Sequence, residues 1–123
     1  MKLILIAILF SFFQSPVTVV KNNGDQVVLN NPVFYQDQES GTKDSIVYSY
    51  RGQPGSIKIR EIKRISFKET VSKKKGVPTY RVVLVRNNNS KIEVELDLVK
   101  VEGITSDGKT ESMNFSSVDK ISF

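Results

Sequence analysis

The chain has 123 residues, 39% of them apolar and 25% charged, with a net charge of +5. That supplies a core for one ordinary domain or two very small ones and places the chain among globular proteins. Cysteine and histidine are both absent, which excludes disulfides, thiolate metal sites and thiol nucleophiles and removes the usual general base near neutral pH.

In chain order, Met1-Lys2 opens an apolar run, residues 3–13, broken only by Ser11 and followed by Gln14 and Ser15. One charge, a short apolar stretch and a polar end form the layout of a secretory signal peptide, so residues 1–15 are predicted to be a signal peptide or N-terminal anchor. The run is shorter than the roughly 20 residues that span a bilayer. Ser15 is the candidate small residue before a cut, and the competing reading is a buried first strand of a cytosolic protein.

Residues 16–67 read as a first β unit. Val17 to Lys21 and Val27 to Leu29 flank Asn22-Asn23-Gly24-Asp25, and Asn-Gly between β-branched runs signals a tight hairpin. Asn30-Asn31-Pro32 is expected to interrupt the ladder, because proline donates no backbone hydrogen bond. Residues 36–43 are polar and read as a loop. Residues 44–50 form the next strand, with Ile46, Tyr48 and Tyr50 on one face, and residues 51–55 form a turn.

Next comes Ser-Ile-Lys-Ile-Arg-Glu-Ile-Lys-Arg-Ile-Ser-Phe, residues 56–67, and the same pattern returns at residues 112–123. Ile57 matches Met113, Ile59 matches Phe115, Ile62 matches Val118, Ile65 matches Ile121, and Phe67 matches Phe123. Solvent positions drift, as Lys63 against Asp119 shows. The spacing of Ile59, Ile62 and Ile65 by three predicts a single 3₁₀ turn between two strands. Strand, one helical turn, strand resembles the punctuation near the end of small SH3-like and Sm-like barrels. The resemblance is to a fold class and carries no functional residues with it.

Residues 68–78 break the apolar pattern and read as a basic linker or solvated hairpin tip. Lys68, Lys73, Lys74 and Lys75 against Glu69 give it the largest local positive excess in the chain. Residues 79–123 read as a second β unit. Residues 80–86 form a strand apolar on both faces, and Asn87-Asn88-Asn89-Ser90 stands where the first unit has its Asn-Gly turn. Ile92, Val94, Leu96 and Leu98 alternate with Glu93, Glu95 and Asp97. Parity then flips at Val99 and Val101, which predicts a bend or bulge near Leu98-Val99. Asp107-Gly108 predicts another hairpin. Two matches to the glycosylation sequon, at Asn88 and Asn114, carry no functional weight.

About ten short strands, two single helical turns and no long amphipathic helix predict an all-β protein. The expected architecture is two tandem SH3-like or Sm-like units packed together; one larger barrel or sandwich is the alternative. For function, the sequence favours a non-enzymatic β module, exported to the periplasm, cell envelope or outside, that binds or assembles through strand edges or loops. No cofactor is implied, and Glu93, Glu95 and Asp97 read as the wet face of a strand rather than a metal site. Partners are an unspecified protein or an anionic envelope polymer contacted by Lys68, Lys73, Lys74 and Lys75, with membrane contact available to the N-terminal segment. The alternative is an Sm-like nucleic-acid-binding protein using Tyr35, Tyr48 and Tyr50 for stacking and Arg51 for phosphate; the export signal and the low net charge of both units argue against it.

Overall fold

The structure, a computed structural model, describes residues 15–123; apart from Ser15, the predicted export segment lies outside them. The fold is all-β. Among the described residues eleven strands run in chain order as β1 (Val17–Lys21), β2 (Gln26–Tyr35), β3 (Gly41–Thr42), β4 (Ser45–Tyr50), β5 (Gln53–Lys58), β6 (Ile62–Lys74), β7 (Val77–Arg86), β8 (Lys91–Asp97), β9 (Lys100–Ile104), β10 (Thr110–Asn114) and β11 (Val118–Ser122). Single 3₁₀ turns, Ile59–Glu61 and Phe115–Ser117, precede β6 and β11. Both copies of the repeated stretch thus fold as strand, turn, strand, and Ile59, Ile62 and Ile65 are all buried as their spacing requires.

The strands form one antiparallel sheet in the order β10-β9-β2-β1-β11-β6-β7-β8-β4-β5, with β3 paired to β2, and the sheet does not close into a barrel. The strand pairing runs across the division at residues 16–67 and 79–123. Strands β1 and β2 pair with β11 and β9, not with their sequence neighbours β4 and β5. One half of the sheet, β6-β7-β8-β4-β5, is a contiguous run of chain. The other, β11-β1-β2-β9-β10, is assembled from strands on either side of that run.

Read outward from the β11–β6 seam, the halves match strand for strand. Ile65 lies opposite Ile121, the same position of the repeat, flanked by Ser66–Lys120 and Arg64–Ser122. Ile65 then pairs with Leu84 on β7, as Ile121 pairs with Val19 on β1. Val82–Val94 on one side matches Val17–Leu29 on the other. The hairpin turns repeat too: Asn87 donates its N–H to Glu61 O and its Nδ2 to Arg60 O, while Asn22 donates to Ser117 O and Ser116 O. A local two-fold between Ile65 and Ile121 relates the halves.

Both halves share one core. Val17, Val19, Leu29, Phe34, Ile46, Ile65, Leu84, Leu96, Phe115 and Ile121 belong to a single buried cluster that contains no buried polar group among the described residues. Phe67 stacks on Phe115 at 5.3 Å and meets Tyr80 edge-on at 5.3 Å, while Phe34 packs on Phe115 and Phe123. Each side chain of this size contributes about 1.5–3 kcal/mol on full burial. The core therefore ties the halves together more tightly than two separate barrels would be.

Two predicted breaks take a different form. Asn30-Asn31-Pro32 interrupts the β2–β9 ladder as a bulge between Asn30 and Val33, with Asn31 at φ 50°, while β2 itself runs on through it. The bulge lies within the β2–β9 pairing, just past the last β2 residue paired with β1, Leu29. The parity flip at Leu98-Val99 is a crossing between halves. Strand β8 ends at Asp97, Leu98 donates its N–H to Pro78 O, Val99 donates to Tyr35 O, and β9 begins at Lys100.

Candidate functional site: the basic hairpin

The sequence read residues 68–78 as a basic linker or solvated hairpin tip, and in the structure they form the outer part of a long hairpin. Strands β6 and β7 pair from Ile62–Arg86 out to Lys74–Val77, with three register shifts that strengthen their twist. Lys75 and Gly76 close the hairpin at φ 53° and 78°, as a two-residue primed turn requires. Val71, on the outer part of β6, is 41% exposed. The turn is tied down where Gln38 Nε2 donates to Gly76 O at 3.0 Å.

The four predicted lysines divide into two groups. Lys68 is engaged by Glu93 on β8 at 2.8 Å. That hydrogen bond first, then the attraction of the ammonium, lowers the Glu93 carboxyl below its ordinary pKa. Lys73, Lys74 and Lys75 are exposed at the tip and have no ion-pair partner among the described residues. The only acidic residues in the loop that touches the tip are Asp37 and Glu39. The Asp37 carboxylate is occupied by the Ser40 and Glu39 N–H groups, which hold its pKa down.

The acidic alternation on β8 is neutralised by its neighbours. Arg81 on β7 donates to Glu69 and lies 3.7 Å from Glu95; Thr79 donates its hydroxyl to Asp97. No group of acidic residues positioned to hold a metal ion occurs among the described residues. Arg81, Glu93 and Glu95 line a shallow hollow of about 170 Å³ with Ser49, Arg51, Gly52 and Val94.

The second predicted face is largely committed to packing. Tyr48 and Tyr50 are half-buried against the core, and the Tyr48 ring lies over Gly55, where an added Cβ would fall 2.5 Å from it. Arg51 sits over the Tyr50 ring at 5.0 Å, so one ring face is already covered by a cation. Arg51 itself is exposed. The structure brings Tyr50 and Arg51 together and keeps both apart from the lysine tip.

Sequence reasoning missed Gln36 and Thr42. In the split half, β2 pairs with β9 through Asn30–Ile104, Val33–Glu102, Phe34–Val101 and Tyr35–Lys100. In the contiguous half, β8 pairs with β4 only at Glu95–Ser49. Side chains take the place of the missing strand. Gln36 Oε1 accepts the Val47 N–H at 2.9 Å and Gln36 Nε2 donates to Val47 O at 2.7 Å and to Asp97 O at 3.1 Å. The Thr42 hydroxyl serves both backbone groups of Ser45. A lone Gln or Thr in a polar loop carries no pattern that announces such a role.

In comparisons with known proteins, no protein-family model, curated protein or solved structure matches this chain. Among the described residues no helix is long and apolar enough to cross a membrane.

Proposed function

We propose that the chain is an exported, non-enzymatic β module whose β6–β7 hairpin contacts anionic surfaces of the cell envelope. The observation that carries this reading is the cluster of exposed lysines, Lys73, Lys74 and Lys75, with no ion-pair partner among the described residues, on a tip fixed by its turn and by Gln38. A lysine near an anionic surface contributes about 1 kcal/mol, so the tip supplies about 3 kcal/mol and gives weak, salt-sensitive attachment. Stable attachment then needs a second contact, which the apolar segment at residues 3–13 offers if it is retained. The nucleic-acid alternative draws less support, because Tyr48 and Tyr50 are half-buried and Arg51 covers Tyr50.

The test is co-sedimentation with vesicles of anionic lipid and retention on a soluble anionic polymer across a salt series. The parent binds at low salt, and Lys73→Gln, Lys74→Gln, Lys75→Gln together abolish that binding. Unchanged binding in the triple variant removes the hairpin from the reading. Export is tested by mass spectrometry of the protein from fractionated cells, where an intact Met1 in the soluble cytosol refutes it.

A further inference from the structure

Among the described residues the strand order ends at β5 on one side and β10 on the other, and the two occupy matching positions in the two halves. They differ in how they meet solvent. On the β4–β5 pair, Gln36 takes both backbone groups of Val47, so Val47 and its partner Ser56 point their N–H and C=O away from each other. Ile59 donates to Asp44 O, which fixes the same alternation. Pro54, Ser56 and Lys58 therefore present their backbone to the free side of β5. Pro54 has no N–H to offer there and Lys58 adds a charge, both of which deter an incoming strand.

On β10 the alternation is the same, set by Phe115 donating to Val99 O and Thr105 donating to Lys109 O. The residues facing outward are Thr110, Ser112 and Asn114, in the places of Pro54, Ser56 and Lys58. All three are exposed, all three have both a donor and an acceptor, and none is charged; the Asn114 carbonyl also accepts the Ser117 hydroxyl at 2.9 Å and has a second lone pair for an incoming strand. Thus the guard on one edge is missing from its counterpart.

We propose that β10 is a self-pairing edge through which a second copy of the chain extends the sheet. An antiparallel register centred on Ser112 sets Ser112 against its own copy and Thr110 against Asn114, each pair exchanging a donor and an acceptor in both directions. Side chains on that face are small and polar, and Thr, Ser and Asn form cross-strand hydrogen bonds. On the other face Glu111 lies opposite Met113, so no like charges meet directly. The two Glu111 residues are diagonal neighbours, roughly 7–8 Å apart, which weakens the pairing without forbidding it. A five-residue strand pair buries less than about 1,200 Å², so the association belongs to the weak class. Self-pairing at β10 uses no residue of the basic hairpin.

The test is sedimentation equilibrium of the full chain over a concentration series reaching the millimolar range, with variants that transplant the guard. Thr110→Pro with Asn114→Lys copies onto β10 what β5 already tolerates and leaves the β9 ladder intact. The parent shows a reversible monomer–dimer equilibrium, the guarded variant loses it by about tenfold or more, and Glu111→Gln tightens it a few-fold. A parent that stays monomeric throughout, or self-association that persists in the folded guarded variant, overturns the proposal; the latter outcome assigns association to another surface. Should the guarded variant fail to fold, amide exchange of the parent decides. Slower exchange at Ser112 as concentration rises supports the pairing, and exchange independent of concentration overturns it.

Discussion

The two halves of the sheet share strand order, seam, turn contacts and 3₁₀ turns, yet one is contiguous and the other is drawn from both sides of it. The comparison teaches which features belong to the shared plan and which were free to diverge. The apolar positions are common: Ile65 and Ile121, Leu84 and Val19, Val82 and Val17. What differs lies on the outer face and the edges. Glu93, Glu95 and Ser49 of the contiguous half stand where the split half has Val28, Asn30 and Ile104, with Val28 46% and Ile104 39% exposed. One half is braced outside by ion pairs and ends in a guarded edge. The other has ion pairs within β9 and within its hairpin turn, Lys100–Glu102 and Lys109–Asp107, neither of which joins two strands, and it ends in an unguarded edge.

The largest expected effect tests whether the seam is equivalent from both sides. Ile65→Ala and Ile121→Ala each create a cavity in the shared core and should each cost about 2–5 kcal/mol. Because the residues touch, the double variant should cost less than the sum. Urea unfolding checks both statements, and a parent-like stability for either single variant breaks the equivalence.

A smaller effect sharpens the contrast between the strand-filled and side-chain-filled gaps. Gln36→Ala frees both backbone groups of Val47 and should cost about 1–2 kcal/mol. Hydrogen exchange should accelerate at the Val47 amide and stay unchanged at Glu102, its counterpart on β9. Uniform acceleration at both would mean that Gln36 stabilises the sheet as a whole and not that one gap.

The smallest concerns the braced face. Glu93 has its pKa lowered by Lys68, so the stability it adds is present above the ordinary glutamate range and is lost as pH falls through the depressed value. The pair is exposed, so the loss is slight and shrinks with salt. Replacing Lys68 with Gln should return the Glu93 titration, followed by NMR, toward the ordinary range. An unmoved titration would show that the pair does not form in solution.

Much of this was legible in the residues, within limits set by range. Alternation, Asn-Gly and Asp-Gly turns, and the three-residue spacing of Ile59, Ile62 and Ile65 are local signals, and the strands and 3₁₀ turns they predicted are present. The matched apolar pairs announced a repeat. Nothing local said that Val19 would pair with Ile121 rather than with a strand of its own unit, because pairing partners depend on long-range closure. Leu98-Val99 was visible as a parity break, yet whether the chain bends or crosses to the other half is not encoded in two residues. The tip lysines were found by charge alone. Their separation from Lys68 followed only once β8 brought Glu93 alongside it.

The seam itself can be tested by a single cross-link, and the absence of native cysteine makes the experiment clean. Phe123 donates to Lys63 O, so Ser66 and Lys120 form a pair without hydrogen bonds between them, with Cα atoms about 4.5 Å apart, within disulfide range. In a variant carrying Ser66→Cys and Lys120→Cys, mild oxidation at low concentration should close an intramolecular disulfide while the fold is retained. Free thiols, or disulfides formed only between chains, would mean that the two repeats do not meet at Ile65 and Ile121.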